Sequence, residues 1–236
     1  MRTMVIKNII VGTLLTGMLG GCATQANKDP LEGLNRGIYK FNDTADKAVL
    51  KPIAGAYKAV LPSPVRTGVN NFFANLGTVV TIVNDLLQFK FSQAMDDTGR
   101  FAINTTFGIA GLVDWASMDG IEQHHEDFGQ TLGKWGWNDS AYLVLPLLGP
   151  STLRDTGGLI FDSFTSDPLG YVQGPATRNQ LILTKFVDTR ASYLPGSDLL
   201  DEAALDPYAF MRDAYLQRRN NQIYDGNPPE QDLDAE

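Results

Sequence analysis

An apolar leader that ends at the chain's only cysteine sets the strongest limit on how this sequence can fold. Two basic residues, Arg2 and Lys7, precede the apolar run of residues 9–15, and small residues lead into Cys22. This arrangement is typical of an export signal, and the run is too short to span a bilayer as a helix. We therefore expect residues 1–21 to be removed. The remainder has a single thiol, so no disulfide within it can stabilise the fold.

The residues at this junction, Leu19-Gly20-Gly21-Cys22, resemble the lipobox of bacterial lipoproteins. The resemblance implies cleavage before Cys22 and acylation of its thiol, and we expect no cofactor besides this covalent lipid. Ala23 follows, where Asp would favour retention in the inner membrane, which points to the periplasmic leaflet of a Gram-negative outer membrane. The alternative is an ordinary secretory signal followed by a buried cysteine. Residues 22–28 are polar after the cysteine and are expected to form a lipidated tether.

The charge of the chain limits its partners. The leader holds two of the 19 basic residues and none of the 27 acidic ones, so the mature part is more acidic than the whole chain, whose net charge is −8. An acidic surface argues against nucleic acid and against electrostatic capture by anionic lipids. Membrane attachment would therefore be apolar and covalent. After the leader, no apolar run approaches the roughly 20 residues of a spanning helix.

The mature part has the periodicity of helices and predicts an all-α fold in one domain, residues 29–225. Asp29-Pro30, Ser63-Pro64 and Asp206-Pro207 each pair a capping residue with a proline suited to the first helical position. Ser151 is expected to cap another helix. Apolar stripes at steps of three and four follow within residues 31–45, 53–60, 65–76, 181–187 and 208–216. The acidic, proline-containing residues 226–236 are expected to be disordered.

Several segments are more apolar than a surface helix needs to be. The helix predicted from Gly77 is apolar on nearly every face, although its β-branched residues leave a strand at Thr78–Val83 as the alternative. Residues 105–113 are apolar and glycine-rich, which allows close backbone approach. Residues 141–150 are apolar and interrupted by proline, as in a re-entrant or hinged segment. An aromatic set suited to the membrane interface accompanies them: Trp115, Phe128, Trp135, Trp137 and Tyr142. Any single stripe could instead belong to a soluble core.

We find no motif that indicates catalysis. The run His124-His125-Glu126-Asp127 lacks the H-E-x-x-H spacing, and we expect it to be a solvated turn and helix start rather than a metal site. Around Ser151 the sequence G-P-S-T-L has Leu where a nucleophile elbow needs Gly. Phosphate-binding glycine motifs are absent from the sequence. We therefore expect a protein that is not an enzyme.

Five separated blocks in matching order resemble the VacJ/MlaA family of outer-membrane phospholipid-binding lipoproteins, over roughly residues 22–225. The blocks are Asp29–Arg36 with Tyr39, Phe41 and Asn42; Arg100–Thr105 with Gly108 and Gly111; Asp127–Gly133; Leu145-Pro146 with Gly149–Asp155; and Asp206–Tyr208 with Arg212, Tyr215 and Arg218.

This resemblance implies a ring-like helical domain lying in one membrane leaflet beside a trimeric porin. A central amphipathic channel would take misplaced phospholipids from the outer leaflet and pass them to a soluble periplasmic carrier. Arg154 and Asp155 lie in the fourth of these blocks, and Arg190 lies in a further family-like stretch, Asp188-Thr189-Arg190-Ala191; all three are candidates for lining that channel. Arg178 and Lys185 join them because they share the polar face of the predicted helix.

The segment before Gly149 is our candidate gate, represented by Gly136, Trp137, Tyr142, Leu143 and Pro146. It departs from the glycine-richer hairpin expected for the family, since Trp137-Asn138-Asp139-Ser140 stands at its start. Two other functions stay open at this point. One is a lipid-degrading enzyme that uses Ser151, and the other is a structural tether in the envelope.

Overall fold

The computed structural model describes residues 28–203 and 205–229, with the side chains of 198–203 left aside. The signal segment, Cys22 and most of the tether lie outside the described residues, as do residues 230–236 of the predicted tail. The helices are α1 Glu32–Ala45, α2 Lys51–Val60, α3 Ser63–Leu87, α4 Phe91–Thr106, α5 Trp115–Met118, α6 Phe128–Lys134, α7 Leu153–Thr165, α8 Pro175–Ala203 and α9 Pro207–Ile223. A hairpin of β1 Tyr142–Leu145 and β2 Gly149–Thr152 precedes α7.

Helices dominate this architecture, which confirms the predicted all-α class. A π turn, Asp46–Leu50, joins α1 to α2 without a break in helical backbone, and a short 3₁₀ turn, Pro168–Tyr171, precedes α8. Pro52 lies in the first turn of α2, directly after the π turn. Proline has no backbone N–H to donate, and the changed hydrogen-bond pattern of the π turn does not need a donor at this position. The main helix contacts are α3 with α4, α6 with α7, and α2 with α8.

Three of the predicted helix caps are wrong. Asp29 is buried and accepts hydrogen bonds from Asn35 and Tyr208, while α1 begins at Glu32 after Leu31. Ser63 is the first residue of α3 and makes no capping bond. Thr152 rather than Ser151 caps α7, by accepting from the Asp155 N–H at 3.0 Å. Each of these helices begins within one or two residues of its predicted start, which is the usual scatter of helix ends.

The caps at Asp206 and Asp127 agree with the sequence. Asp206 accepts from the Ala209 N–H at 3.1 Å and Asp127 from the Gln130 N–H at 2.9 Å. Asp127 therefore starts α6, as the predicted helix start requires. Neighbouring Glu126 is buried, however, so the expectation of a wholly solvated turn is wrong there.

The long helix α3 shows how polarity is distributed in this protein. It runs unbroken over 25 residues, so the strand alternative at Thr78–Val83 is wrong. Its buried side chains are mostly polar, while the valines and the isoleucine between Thr78 and Asn84 are only half-buried. The prediction of an apolar helix was right in composition but missed the polar inner face, which is given by Asn75, Thr78, Thr81, Asn84 and Asp85.

The same inversion holds for the described residues as a whole. Buried polar and charged side chains outnumber buried hydrophobic ones by about two to one, and large hydrophobic side chains are exposed on many of the helices. A water-soluble domain buries the opposite set. Two clusters illustrate the outer surface. Phe89, Phe91 and Met95 are 76%, 59% and 75% exposed, and Phe107 and Ile109 are 74% and 68% exposed. None of the helices in the described part is long and apolar enough to cross a membrane.

Close backbone approach occurs where the glycine-rich segment was predicted to allow it. A Cβ on Gly111, whose φ is +92°, would lie 2.7 Å from the Asn75 Cβ in α3. Gly158 of α7 packs directly on α6, because its Cβ would lie 2.7 Å from the Cα of Gly129. Small residues therefore determine how closely these helices approach.

Candidate functional site

The predicted hinged segment is an antiparallel β-hairpin in which Tyr142 pairs with Thr152 and Leu145 with Gly149. At its tip Leu147 and Leu148 are 51% and 62% exposed, and the backbone of Leu147 is left-handed at φ +63°. The hairpin's base is buried. Tyr142 and Val144 pack against Tyr208 of α9 in the hydrophobic cluster of the described residues.

Two asparagines of α1 occupy the free edge of β1. Asn35 Nδ2 donates to the Tyr142 carbonyl at 3.0 Å, and Asn35 Oδ1 accepts from the Val144 N–H at 2.9 Å. Seven residues later, Asn42 repeats the pattern with the Leu145 carbonyl and the Leu147 N–H, both at 2.8 Å. Each amide therefore replaces one step of a missing neighbouring strand. Sequence reasoning gives neither asparagine a role, and their i, i+7 spacing is the one sequence signal that indicates the pair.

The candidate gate residues occupy different environments. Gly136 follows α6 at φ +107°, Trp137 is 47% exposed, and Pro146 is exposed at the hairpin tip. Leu143 is half-buried in β1. Tyr142 is fully buried, so its assignment to the interfacial aromatic set is wrong. Gating by this segment stays a prediction.

The other aromatic residues of that set lie nearer the surface. Trp115 and Trp135 are 45% and 56% exposed, as is appropriate for rings at an interface. Phe128 is half-buried and stacks on Phe161 with ring centroids 3.8 Å apart.

A buried ion network lies at the start of α7, behind the hairpin. Arg219 of α9 donates to both oxygens of Asp127 at 2.6 and 2.8 Å and to Asp155 Oδ1 at 2.8 Å. Arg154 Nε also donates to Asp155 Oδ1, at 3.0 Å, and its Nη1 donates to the Trp137 carbonyl at 3.1 Å. The network joins α6, α7 and α9 through charge-assisted bonds. Two predicted residues, Arg154 and Asp155, belong to it, whereas Arg219 was not predicted.

The charges in this network stabilise each other. Burial alone would raise the pKa of the Asp155 carboxyl, but Arg219 first, then Arg154 and the Tyr215 hydroxyl, outweigh it and lower that pKa to about 2. The pKa of Asp127 is also lowered, because Arg219 outweighs its burial. Both carboxyls therefore stay ionised at neutral pH and hold the guanidinium between them.

The remaining predicted residues lie together on α8, apart from this network. Arg190 makes a two-pronged ion pair with Asp46 of the π turn, with Nε–Oδ1 at 2.6 Å and Nη2–Oδ2 at 2.7 Å. Arg178 and Lys185 are half-buried, and neither side chain makes a hydrogen bond or ion pair with another described residue. Among the described residues, no hydrogen bond or ion pair links the basic side chains of α8 to Arg154 or Asp155. A role for any of these residues in lining a channel stays a prediction.

A polar cavity of about 220 Å³ opens beside this face of α8, between α2 and α3. Tyr57, Arg66, Asn70 and Asp188 line it, with hydroxyl groups nearby. Asp188 is buried and accepts from the Tyr57 hydroxyl at 2.8 Å and from Asn70 Nδ2 at 3.3 Å. Sequence reasoning gave none of these four residues a role.

Ser151 of the alternative enzymatic hypothesis, and the two histidines weighed as a metal site, have structural partners. The Ser151 hydroxyl lies 2.9 Å from the Thr156 hydroxyl and donates to the Thr152 carbonyl at 3.2 Å. His124 Nδ1 lies 3.0 Å from Asp97 Oδ2, and His125 offers its carbonyl to Gln130. A serine nucleophile needs a base within hydrogen-bond reach. In the described residues, the contacts of Ser151 are hydroxyl and carbonyl groups.

Comparisons with known proteins agree on one family. The profile of the MlaA lipoprotein family matches residues 27–222. The intermembrane phospholipid transport system lipoprotein MlaA of Escherichia coli is 36% identical over 214 residues, which cover 87% of this chain and 84% of that protein. The protein of the same description from Haemophilus influenzae is 33% identical over 235 residues, covering 93% and 92%.

A solved structure is also similar. It was described under the words "structural basis for maintenance of bacterial outer membrane lipid asymmetry", and it superposes with a TM-score of 0.73 at 34% identity. The match covers 83% of this chain and 98% of that one.

Proposed function

Because the chain belongs to the MlaA lipoprotein family, we propose that it is an outer-membrane lipoprotein that transports phospholipid and so maintains lipid asymmetry. It would remove misplaced phospholipid from the outer leaflet and pass it to a soluble periplasmic carrier. The proposal needs no catalytic residue. Its main support within this chain is the distribution of polarity, with polar side chains inside and large hydrophobic side chains outside.

This distribution of polar and hydrophobic side chains supports a position of the domain within one leaflet of the membrane. Exposed side chains such as Phe107 and Phe164, at 74% and 78%, would contact lipid chains, while the polar interior would offer a path for a headgroup. We propose that the domain forms a ring lying in the periplasmic leaflet, anchored additionally by a lipid on Cys22. We propose a trimeric porin as the neighbouring protein. A domain that lies in the periplasmic leaflet would need a second protein beside it to reach phospholipid in the outer leaflet.

The polar path is proposed to include Arg178, Lys185 and Arg190 on α8, and Arg154 and Asp155 at the start of α7. Lys185 and Arg178 are suited to contact a lipid phosphate, because neither side chain forms an ion pair with another described residue. The hairpin of β1 and β2 is proposed to gate this path, with its exposed tip moving and its buried base fixed.

The test is a charge reversal on α8. In cells whose own copy is deleted, Lys185→Glu should restore membrane-located protein but leave phospholipid in the outer leaflet, measured by labelling of surface-exposed amine lipid. Lys40→Glu makes the same charge change at an exposed position of α1 and should restore asymmetry fully. Equal restoration by both variants would remove Lys185 from the path.

Experiments on the purified protein distinguish transport from the two alternatives, a lipid-degrading enzyme and a structural tether. Incubation with labelled phospholipid should return intact lipid, and release of fatty acid that depends on Ser151 would establish the enzymatic function instead. A structural tether would carry no phospholipid after mild detergent extraction, so absence of co-purifying lipid would contradict transport.

A further inference from the structure

The cavity between α2, α3 and α8 is lined by one basic and one acidic side chain that do not form an ion pair with each other. Its volume of about 220 Å³ is enough for about seven water molecules at roughly 30 Å³ each. Arg66 enters from α3 and Asp188 from α8, with Tyr57, Asn70, Ser63 and Thr67 around them. Arg66 and Asp188 do not form an ion pair.

Asp188 is a buried carboxylate with only neutral partners. It is 5% exposed, and its two oxygens accept from the Tyr57 hydroxyl and the Asn70 amide. No cation of the described residues lies within ion-pair distance of it. An ionised carboxylate has about four acceptor sites, so about half of its capacity is unused. A buried carboxylate that no cation contacts directly is costly, which makes this position suited to a ligand that brings a cation into contact with it.

Arg66 has the complementary property. Its Nε donates to the Leu61 carbonyl at 3.1 Å, which fixes the plane of the guanidinium. The two Nη groups, by contrast, have no hydrogen-bond or ion-pair partner among the residues that the structure describes. The first residue of α3, Ser63, lines the same cavity and brings the positive end of a 25-residue helix to it. This side of the cavity therefore suits a phosphate group.

We propose that the cavity binds a zwitterionic phospholipid headgroup that carries a primary ammonium, as phosphoethanolamine does. Its phosphate lies against Arg66 and its ammonium donates to Asp188. The inference rests on the proposed function and adds the class of headgroup to it. An anionic phosphoglycerol headgroup leaves Asp188 without a cation, and a quaternary ammonium has no N–H to donate.

The surroundings of the cavity suit the rest of a lipid molecule. Val60 and Val65 flank the turn between α2 and α3, next to Ser63, and they are 76% and 48% exposed. Exposed branched side chains at the edge of a polar cavity offer contact to acyl chains while the headgroup is held inside.

The first experiment measures which lipid the protein selects. The full chain is placed in nanodiscs with equal amounts of phosphatidylethanolamine and phosphatidylglycerol, extracted mildly, and its bound lipids are counted by mass spectrometry. We expect the amine lipid to be enriched about tenfold over the membrane ratio, and Asp188→Asn to abolish this enrichment. Asp213→Asn, a matched loss of charge at an exposed position of α9, should keep it.

A second pair of variants tests the phosphate side. Arg66→Gln should reduce binding of both lipids, and Arg66→Lys should restore part of it because the charge returns. Unchanged selectivity in Asp188→Asn, or bound lipid in the membrane ratio for the unaltered chain, would overturn the headgroup assignment while leaving transport intact. Absence of bound lipid altogether would instead contradict the proposed function.

A third arm uses the unaltered protein, so it does not depend on the folding of a variant. Free phosphoethanolamine should raise its melting temperature in detergent, and glycerol 3-phosphate should raise it less. Inorganic phosphate tests whether the site recognises phosphate alone. If phosphate stabilises the protein as much as phosphoethanolamine does, the ammonium contributes nothing and the proposal fails.

Discussion

Asn42 fixes the tip of the hairpin to α1: its Oδ1 accepts from the Leu147 N–H, and its Nδ2 donates to the Leu145 carbonyl, both at 2.8 Å. The contact is half-exposed, whereas the equivalent contact of Asn35 at the base is fully buried. The hairpin is thus held firmly at one end and by a single side chain at the other. Loss of the two Asn42 hydrogen bonds would therefore free the tip without unfolding the base.

Removing this side chain should loosen the tip. In Asn42→Ala, the Leu147 amide should exchange with solvent about tenfold faster, because a hydrogen bond contributing about 1–1.5 kcal/mol is lost. Hydrogen exchange measured by NMR or mass spectrometry reports this directly. Thr44→Ala, which removes only a bond to the Lys40 carbonyl on an exposed face of α1, should leave that exchange unchanged. Protection equal to that of the unaltered chain would show that Asn42 does not hold the tip.

Breaking the buried ion network should cost much more. Arg219→Gln leaves Asp127 and Asp155 without their shared guanidinium, and we expect a loss of about 3–5 kcal/mol in the free energy of unfolding. Chemical denaturation in detergent, followed by circular dichroism, measures it. The neighbouring variant Arg218→Gln alters an exposed side chain and should change stability by less than about 0.5 kcal/mol. Similar losses in both variants would contradict the structural role of the network.

Two adjacent glycines of α7 should respond in opposite directions to alanine. At Gly157 nothing lies within 4 Å of an added Cβ, so Gly157→Ala should stabilise the helix by about 0.5–1 kcal/mol. At Gly158 the Cβ would lie 2.7 Å from the Gly129 Cα, so the same change should separate α7 from α6 and destabilise by about 1–3 kcal/mol or more. Melting temperatures of the two variants test the packing. A tolerated Gly158→Ala would show that α6 and α7 are less closely packed.

The stability of the protein should fall as pH rises through the weakly acidic range. Burial first, then the nearby carboxyls of Asp97 and Glu126, raise the pKa of Asp85 from 3.8 to about 7, and Lys90 only partly opposes them. Since the folded state holds this proton more tightly than the unfolded state, its contribution is complete below about pH 4 and is lost as pH rises through about 7.

The isosteric change Asp85→Asn isolates this effect. It retains an acceptor for Gln93, whose Nε2 donates to Asp85 Oδ1 at 2.9 Å, and removes the charge. Relative to the unaltered chain, the variant should gain on the order of 2–4 kcal/mol between pH 4 and pH 8. Asp96→Asn, at an exposed position of α4, should show no such gain. Denaturation at several pH values provides the measurement, and parallel curves for the variant and the unaltered chain would contradict the raised pKa.

Much of the helical framework was predictable from the sequence. The apolar stripes located α1, α2, α3 and α9, and the family blocks identified the chain's relatives, because both depend on local spacing along the chain. Capping was predicted correctly at Asp206 and incorrectly at Asp29, where a buried bond from Tyr208, 179 residues away, takes the carboxylate instead.

The sequence by itself determined that this chain is helical, belongs to a lipid-handling family and has apolar segments in excess of what a small core needs. Only the tertiary structure decided which side of each helix faces inward. From Gly77 onwards the sequence of α3 is apolar on nearly every face, and burial of Asn84 and Asp85 depends on partners in other elements, such as Asp162, whose Oδ1 accepts from Asn84 Nδ2 at 3.0 Å. A polar interior is stable only when groups that are distant in sequence form hydrogen bonds with one another. Local sequence patterns do not show which of these groups will meet.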